Sequence, residues 1–326
     1  MNFSRNKRGG LVASLAVVAF ALSACSSDDT TTTVASPTVS EAPALSGDVA
    51  IDGSSTVAPL SEAAAVEFAD VQGGVNVTVA TSGTGGGFKV FCAGETDISD
   101  ASRPIKDEEA QMCADAGIEF TEIVIANDGL SVVVNPENDW AVCLTVEQLN
   151  KIWAPESEGT VTNWNQVDAS FPDQELALYG PGTDSGTFDY FTDEINGEEG
   201  ASRADYSASE DDNTLVQGVA GDKGGLGYFG LSYAVENADI LKLVEVDGGA
   251  GCVTPSIETV QDGSYTPLAR PLFIYVNNAS YTGKEQVKAF VDFYVAAYEA
   301  VATAAGMVPL TTEQVTTAQD ELATVG

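Results

Sequence analysis

Residues 176–191 read LALYGPGTDSGTFDYF, and the order of features in this stretch decides the fold class. An apolar, strand-like run ends in a turn of Gly, Ser and Thr, and Phe188 and Phe191 then follow at helical spacing. The first amide N–H groups of a helix have no backbone partner, and the helix dipole adds about half a positive charge there. A hydroxyl-rich turn at a helix start is therefore a candidate cradle for an anion.

The same order of strand, turn and helix occurs twice more, nearer the beginning of the chain. Residues 49–57 read VAIDGSSTV and lead into a helix at Pro59, and residues 75–87 read VNVTVATSGTGGG and lead into a helix with Phe88. Any one of these turns could be a plain helix cap. Three hydroxyl-rich turns in one chain favour instead an oxyanion that they share.

Strand-like and helical patterns alternate through the rest of the chain. Helices are expected from Pro59 to Asp70, after a capping box that begins at Thr145, and over 282–305. Apolar or β-branched runs bounded by Gly, Asn or Pro predict strands at 75–81, 122–126, 130–135, 175–180, 241–246 and 271–277. This alternation predicts an α/β protein with doubly wound sheets, whose ligands bind at the carboxyl ends of the strands.

The composition excludes several kinds of function. The 326 residues include 13 Lys and Arg, 49 Asp and Glu and no His, which gives a formal net charge of −36. We expect no nucleic-acid partner, because that binding depends on basic contacts to phosphates. Without His there is no Ser-His-Asp or Cys-His nucleophile and no His-ligated metal site. We also expect no cofactor, since SGTGGGFK (82–89) fits neither a Walker loop nor a dinucleotide motif.

The beginning of the chain predicts export and a lipid anchor. Three basic residues precede an apolar run, 11–24, that is too short for a stable membrane-spanning helix and is typical of a signal peptide, assigned to 1–24. Leu22-Ser23-Ala24-Cys25 resembles a bacterial lipobox, which predicts lipidation of Cys25; secretion with a free Cys25 is the alternative. Residues 25–47, rich in Ser, Thr and Pro, predict a tether.

Four cysteines remain beside Cys25, and they allow three pairings. Disulfides are favoured over free thiols in an exported chain. We expect Cys92–Cys113, which would close a short local loop, and Cys143–Cys252, which would clamp one lobe. Four reduced thiols are the alternative.

Five segments together resemble the phosphate-binding lipoproteins of bacterial phosphate ABC importers, the PstS-type family. They are IDGSSTVAPLSEA (51–63), TSGTGGGFKVFCAGETDISDASRPI (81–105), YGPGTDSGTFDYF (179–191), SEDDNTLVQGV (209–219) and GGLGYFG (224–230). The resemblance covers about residues 48–310 and implies a type II periplasmic-binding fold, in which two crossing strands join two α/β lobes around an anion. The first lobe would hold 48–128 and 270–326, and the second 129–269.

The resemblance also implies which residues bind phosphate. Ser55 and Thr56 match the family's first phosphate loop, and Thr84, with Ser82 beside it, matches the Gly-rich loop. The third loop is matched by Ser185, Gly186 and Thr187.

Two departures from the family pattern concern charge. Many members have an Arg where this chain has Pro181, and many have an Asp where it has Ser102. We expect Ser102 and Arg103 both to bind phosphate, with Arg103 supplying the guanidinium from the first lobe; a surface or structural ion pair is the alternative role for Arg103. Arg203 and Arg270 are expected outside the three turns. The missing Asp is the usual acceptor for the proton of hydrogen phosphate, and the candidates to replace it are Asp184, Asp212 and Asp100.

The resemblance therefore implies a binding protein and not an enzyme. It would be a monomer, anchored to the cell membrane through Cys25, that delivers inorganic phosphate to the permease subunits of an ABC importer. One alternative is a binding protein for another oxyanion, such as sulfate or molybdate. A second alternative is a phosphate-ester hydrolase on the same fold; the lack of His and of a clear metal–carboxylate cluster argues against it. A third alternative is a surface adhesin or sensor.

Overall fold

The computed structural model describes residues 44–183 and 185–325. The predicted signal peptide, most of the tether, Cys25 and Asp184 lie outside the described residues. The tether was expected to end at residue 47, but the Leu45 amide already donates a hydrogen bond to Gln72 and the first strand begins at Gly47. Residues at the end of the predicted tether therefore already make contacts of the first lobe.

Twelve strands and thirteen α-helices are present in the described residues. The strands are β1 (Gly47–Gly53), β2 (Val75–Ala80), β3 (Ile98–Ala101), β4 (Phe120–Val134), β5 (Cys143–Thr145), β6 (Ala177–Gly180), β7 (Ser207–Ala208), β8 (Gly225–Gly230), β9 (Lys242–Leu243), β10 (Glu245–Asp247), β11 (Cys252–Val253) and β12 (Ala269–Asn277). The helices are α1 (Ala58–Val71), α2 (Thr84–Cys92), α3 (Asp107–Ala116), α4 (Val146–Trp153), α5 (Trp164–Val167), α6 (Gly186–Asn196), α7 (Asp212–Gly221), α8 (Leu231–Glu236), α9 (Ile257–Gln261), α10 (Asn278–Gly283), α11 (Glu285–Ala296), α12 (Tyr298–Ala304) and α13 (Thr312–Ala323).

One nine-stranded sheet runs through the protein in the order β2-β1-β3-β12-β4-β8-β6-β7, and β9 also pairs with β4. Strands β1, β2 and β3 are parallel at one end, and β6, β7 and β8 are parallel at the other. The antiparallel strands β4 and β12 lie between these two sets. A separate three-stranded sheet contains β5, β10 and β11.

Strand β4 crosses from one half of the sheet to the other. Its residues 120–129 pair with β12, and its residues 130–134 pair with β8. The sequence predicted two strands here, with a break at the polar residues Asn127 and Asp128. The strand continues because both side chains are buried with partners: the amide groups of Asn127 and Gln314 bond each other, and Asp128 accepts from Arg270.

Two further predicted elements are divided in the structure. The helix expected over 282–305 is three helices, α10, α11 and α12, although the apolar face that contains Phe290 and Tyr294 is buried as predicted. The strand expected over 241–246 is split at Val244, because β9 pairs with β4 whereas β10 pairs with β5 in the small sheet.

The buried apolar residues form separate cores on the two sides of the crossing strands. One contains Val49, Phe68 and Phe290, and another contains Trp153, Trp164 and Tyr228. We call residues 44–128 and 270–325 the first lobe, and residues 129–183 and 185–269 the second lobe. These boundaries stay a prediction, and Val308 packs into the core of the second lobe.

Both expected disulfide bonds are present. Cys92–Cys113 joins α2 to α3 in the first lobe, and Cys143–Cys252 joins the two outer strands of the small sheet in the second lobe. Each bond therefore fastens one lobe internally.

Candidate functional site

A cavity of about 640 Å³ lies between the two lobes, next to the crossing strand β12. Three loops of the first lobe form one wall, at 54–56, 82–86 and 102–106, and Gly186 with the face of α6 forms the other. Arg270 and Pro271 of β12 line it as well. The carboxyl ends of the parallel strands thus contribute loops to one shared space, as the α/β pattern predicts.

The first loop follows β1 and is held by contacts to β3. A β-carbon on Gly53, whose φ is +151°, would stand 2.1 Å from the carbonyl oxygen of Asp100, so this close approach requires glycine. The Ser54 amide donates to the same carbonyl at 2.9 Å, and the Thr56 amide donates to the Ser54 hydroxyl at 3.2 Å. Ser55 and Thr56 are thereby placed on the cavity wall.

The Gly-rich loop leads into α2 and packs directly on the first loop. A β-carbon on Gly87 would stand 2.6 Å from the α-carbon of Gly53, so the helix start can come this close only with glycine. The Thr84 hydroxyl accepts from the Ser102 amide at 3.2 Å and lies 3.1 Å from the Ser102 hydroxyl. Thr84 and Ser102, which both lie in the segment 81–105, therefore belong to one hydrogen-bonded group, and both line the cavity with Ser82.

The third loop begins α6 in the second lobe. The Ser185 hydroxyl caps this helix by accepting from the Thr187 amide at 3.2 Å. Gly186 lines the cavity, whereas the two residues beside it, both described in the structure, are not among the lining residues. The contact of Ser185 and Thr187 with a ligand stays a prediction.

Arg103 lies on the cavity wall and also forms a structural ion pair. Its two terminal nitrogens donate to the two carboxylate oxygens of Glu109, each at 2.8 Å, and one of them also donates to the Pro104 carbonyl. The hydrogen bond to Glu109 raises the pKa of Arg103. These bonds use three of the five guanidinium N–H donors, so two remain for a ligand. Both roles weighed for Arg103 from the sequence are compatible with this geometry.

Arg270 was expected outside the site and lines the cavity, which corrects the prediction. Its Nε donates to the buried carboxylate of Asp128 at 3.3 Å, and its Nη2 donates to the Thr56 hydroxyl at 3.2 Å. The guanidinium carbon lies 3.5 Å from the centre of the Tyr190 ring, a cation–π contact. The three turns alone do not point to Arg270, because it lies on β12, the second crossing strand, which passes the cleft.

Three further cations, Lys106, Lys89 and Arg203, are distributed differently. Lys106 lines the cavity and is exposed, whereas Lys89 is exposed on α2 and does not line it. Arg203 is buried in the second lobe, where it donates to the carbonyls of Ile152 and Val161 and pairs with Asp205. Arg203 therefore has a structural role, in agreement with the expectation.

The wall of the cavity in the second lobe is acidic, with Asp189, Asp193 and Glu194 on α6 and Glu199 in the loop that follows. Burial raises the pKa of Asp189 to about 6, and Glu199 adds to the shift while Arg270 opposes it. Burial also raises the pKa of Glu194. Carboxylates in a cavity otherwise built of hydrogen-bond donors call for a chemical explanation.

Two of the three candidate proton acceptors lie away from the cavity lining. Asp100 is fully buried in the first lobe, where it accepts from the Ser61 hydroxyl at 2.9 Å. Asp212 is the first residue of α7, directly after the N-cap residue Asp211, and it does not line the cavity. The structure therefore corrects these two suggestions, and Asp184 lies outside the described residues.

In the described residues, the one group of potential metal ligands is Cys143, Glu245 and Cys252. Its two sulfur atoms are bonded to each other, so they are not free thiolates. A search of the described residues also finds no helix that is both long and apolar enough to cross a membrane.

The fold and the cavity define the class of protein first. Parallel-stranded α/β lobes, two antiparallel crossing strands and a ligand-sized cleft beside them are the features of a type II solute-binding protein. The PBP superfamily domain matches residues 35–297 of the chain. The predicted fold class is therefore confirmed.

Comparison with known proteins then identifies the family. The chain is 48% identical to the protein SphX of Synechocystis sp. (strain ATCC 27184 / PCC 6803 / Kazusa) over 312 residues, which are 96% of this chain and 88% of SphX. It is 40% identical to the phosphate-binding protein PstS of Staphylococcus saprophyticus over 277 residues, 85% of this chain and 84% of that protein. The chain belongs to the PstS-type family, whose members are substrate-binding proteins of phosphate transport and not enzymes.

A solved structure agrees with this assignment. The crystal structure of a possible phosphate binding protein from Planctomyces limnophilus DSM 3776 has 46% sequence identity and a TM-score of 0.81. The similarity covers 86% of this chain and 98% of that one.

Proposed function

We propose that the protein binds inorganic phosphate in the cavity between its lobes and delivers it to the permease subunits of an ABC importer. The observation that carries this proposal is the position of Arg270. Its guanidinium is fixed by Asp128 and Tyr190 and reaches the Thr56 hydroxyl at the edge of the cavity. Three of its five N–H donors have no partner among the described residues and are available to an oxyanion.

The rest of the cavity supplies neutral donors. Hydroxyl groups of Ser55, Thr56, Ser82 and Thr84 line it, and the helix α2 begins at it with amide groups that have no acceptor within the helix. Such donors replace the water around a bound anion, and they do so without bringing a counterion into the cleft. The high net negative charge does not oppose this, because at physiological salt charges farther away than about 8 Å are largely screened.

The second lobe would complete the site from the other wall of the cavity, where Gly186 already lies against Thr56. Gly186 and Thr187 begin α6 without a backbone acceptor for their amide groups within that helix, and the Thr187 amide, which donates to the Ser185 hydroxyl, would exchange that bond for one to the ligand. Together with the Ser185 hydroxyl they would bind the phosphate from the side opposite Thr84. The PstS-type resemblance supports this role for all three residues.

The location and assembly state are also proposals. The lipobox ending at Cys25 supports a lipid-anchored protein on the outer side of the cell membrane, and the tether up to the first strand would leave the lobes free to reach a permease. We propose that the protein is a monomer. Labelling with palmitate in the producing cells, compared between wild type and Cys25→Ser, tests the anchor: only the wild type should be labelled.

The binding proposal is tested by calorimetric titration of the full chain in detergent with phosphate, arsenate, sulfate and molybdate. Phosphate and arsenate should bind tightly, and sulfate and molybdate should bind much more weakly. Sulfate or molybdate bound as tightly as phosphate would indicate another oxyanion-binding protein. Turnover of an aryl phosphate that depends on added metal would instead support the hydrolase.

A further inference from the structure

The carboxylate of Asp189 occupies an unusual position for an anion-binding cavity. It lines the same space as the hydroxyl groups and Arg270, is half-buried, and has no hydrogen-bond donor among the described residues. An unpaired carboxylate repels a fully ionised oxyanion and weakens its binding, most strongly where water is excluded. A ligand can therefore bind tightly beside Asp189 only if it makes a favourable contact with this carboxylate that offsets the repulsion.

Asp189 is the acidic residue of this wall closest to the start of α6. Its backbone amide donates to the Ser185 carbonyl at 3.1 Å, which places it in the first turn of the helix. Side chains of a helix tilt toward its N-terminus, so the Asp189 carboxylate is directed back toward the third loop. Asp193 lies about 6 Å farther along the helix axis, at 1.5 Å per residue.

The Asp189 carboxylate lines the same cavity as the arginine of the second crossing strand and is within reach of its charge. Arg270 acts on its charge from β12, and Glu199 acts on it from the loop after α6. Arg270 also donates to Thr56, which contacts Gly186 at the start of α6. Asp189 and the donors of both lobes thus surround the same part of the cavity.

Hydrogen phosphate and hydrogen arsenate differ from sulfate in one respect that a carboxylate can detect. At neutral pH the former carry an O–H group, which donates a hydrogen bond to a carboxylate oxygen, whereas sulfate has only acceptor oxygens. A hydrogen bond with an ionised partner is a strong one. The same carboxylate therefore attracts one class of oxyanion and repels the other.

We infer that Asp189 is the specificity-determining residue of the cleft, which accepts a hydrogen bond from the protonated oxygen of the bound oxyanion and so excludes fully ionised oxyanions. This inference rests on the proposed function, since it assumes that the cavity binds phosphate. It assigns the acceptor role to a residue of α6 in the second lobe. The third loop and Asp189 would then contact different parts of one ligand, the former its negative oxygens and the latter its proton.

The test compares phosphate and sulfate affinities of the full chain at pH 7.5 and constant ionic strength for wild type, Asp189→Asn and Asp193→Asn. In Asp189→Asn the new side-chain amide would donate to either ion, so phosphate should bind more weakly and sulfate more tightly. Their ratio of dissociation constants should fall by about tenfold or more, the usual effect of one hydrogen bond to a charged group. Asp193→Asn removes the same charge one turn away and should change both affinities by one common factor.

Thermal unfolding without ligand shows whether each variant folds, and Asp189→Ala provides a second route if Asp189→Asn does not. Suppose that wild type binds phosphate and rejects sulfate, and that a folded Asp189 variant has the same ratio of dissociation constants for the two ions. This result would overturn the inference about Asp189 and leave the proposed function intact. An equal fall of the ratio in Asp193→Asn would also overturn it, because the wall would then act by its overall charge. A wild type that binds no phosphate would overturn both.

Discussion

The α-carbon of Gly186 lies so close to Thr56 that a β-carbon on it would stand 2.4 Å from the Thr56 hydroxyl oxygen and 2.9 Å from the Thr56 amide nitrogen. Gly186 is the first residue of α6, the helix by which the second lobe lines the cavity. Thr56 belongs to the loop after β1 in the first lobe. This contact therefore brings the donors of both lobes together at one edge of the cavity. Only glycine at position 186 permits it.

Substitution of this glycine should weaken phosphate binding without unfolding the protein. In Gly186→Ala the added methyl group meets Thr56 backbone atoms, so the lobes cannot approach to the same distance, while Ala is a good residue for a helix. We expect the dissociation constant for phosphate to rise at least about tenfold, as for one lost hydrogen bond to a charged group. Calorimetry and thermal unfolding measure the two effects separately.

Gly221→Ala is the matched control for this change. A β-carbon on Gly221 meets no atom within 4 Å, and this residue ends α7, away from the cavity lining. Its phosphate affinity should equal that of wild type. Wild-type affinity in Gly186→Ala as well would show that the contact with Thr56 is not needed for binding.

Arg270 should be sensitive to a substitution that preserves its charge. Lysine has a single ammonium group and cannot donate at once to Asp128, Thr56 and a ligand from a planar fork. Arg270→Lys should therefore raise the dissociation constant for phosphate by about tenfold or more. Because a poorly paired Asp128 remains buried, we also expect a lower melting temperature.

The control for Arg270 separates binding from stability. In Asp128→Asn the guanidinium remains but loses its charged partner, so a fall in melting temperature with a smaller loss of affinity is expected. If Arg270→Lys loses stability and binds phosphate as wild type does, Arg270 serves only to neutralise Asp128.

Arg103 is expected to contribute to the same ligand from the first lobe. Arg103→Lys should bind phosphate more weakly than wild type despite equal charge, and Arg103→Ala more weakly still, since two N–H donors of the guanidinium remain beyond its bonds to Glu109 and Pro104. Lys89→Ala removes an exposed cation outside the cavity lining and serves as control. Wild-type affinity in Arg103→Ala would assign Arg103 to the ion pair alone.

Asp100 should make the stability of the protein depend on pH. Burial raises the pKa of this carboxyl from its ordinary value of 3.8 to about 8, while the hydrogen bond from Ser61 opposes the shift. Between these two values the folded state binds a proton that the unfolded state does not, so stability falls as the pH rises through this range. Above about pH 8 the loss is complete.

Asp100→Asn removes this dependence and can still accept a hydrogen bond from Ser61. In denaturant titrations at pH 5, 6.5 and 8, its free energy of unfolding relative to wild type should increase with pH, by at least about 1 kcal/mol in total, the worth of roughly one pKa unit. The exposed Asp70→Asn should show no such trend. A constant difference between Asp100→Asn and wild type would contradict a neutral Asp100 in the fold.

Much of the site could be predicted because its parts are local in sequence. A strand, a glycine and hydroxyl turn and a helix start lie close together in the chain each time, so Thr56, Thr84 and Gly186 were found from their own neighbourhoods. Ser102 and Thr84 are only 18 residues apart and follow adjacent motifs. The resemblance to a known family then placed these turns around one ligand.

The residues that were missed depend on distant contacts. Arg270 reaches the site through Asp128 and Thr56, which lie 142 and 214 residues away in the sequence. No local pattern marks a strand residue for such a contact, although both Asp128 and Arg270 flank the predicted crossings. Asp189 resembles an ordinary acidic residue in the first turn of a helix, a position that the helix dipole favours, so only its place on the cavity wall distinguishes it.

A crystal structure of the full chain grown with phosphate tests the central claim most directly. We predict one phosphate ion in the cavity between the lobes, with its oxygens within hydrogen-bond distance of the Arg270 guanidinium, the Thr56 hydroxyl and the amides at the start of α6. Phosphate bound elsewhere, or a cavity occupied by phosphate with Arg270 turned away from it, would contradict this account.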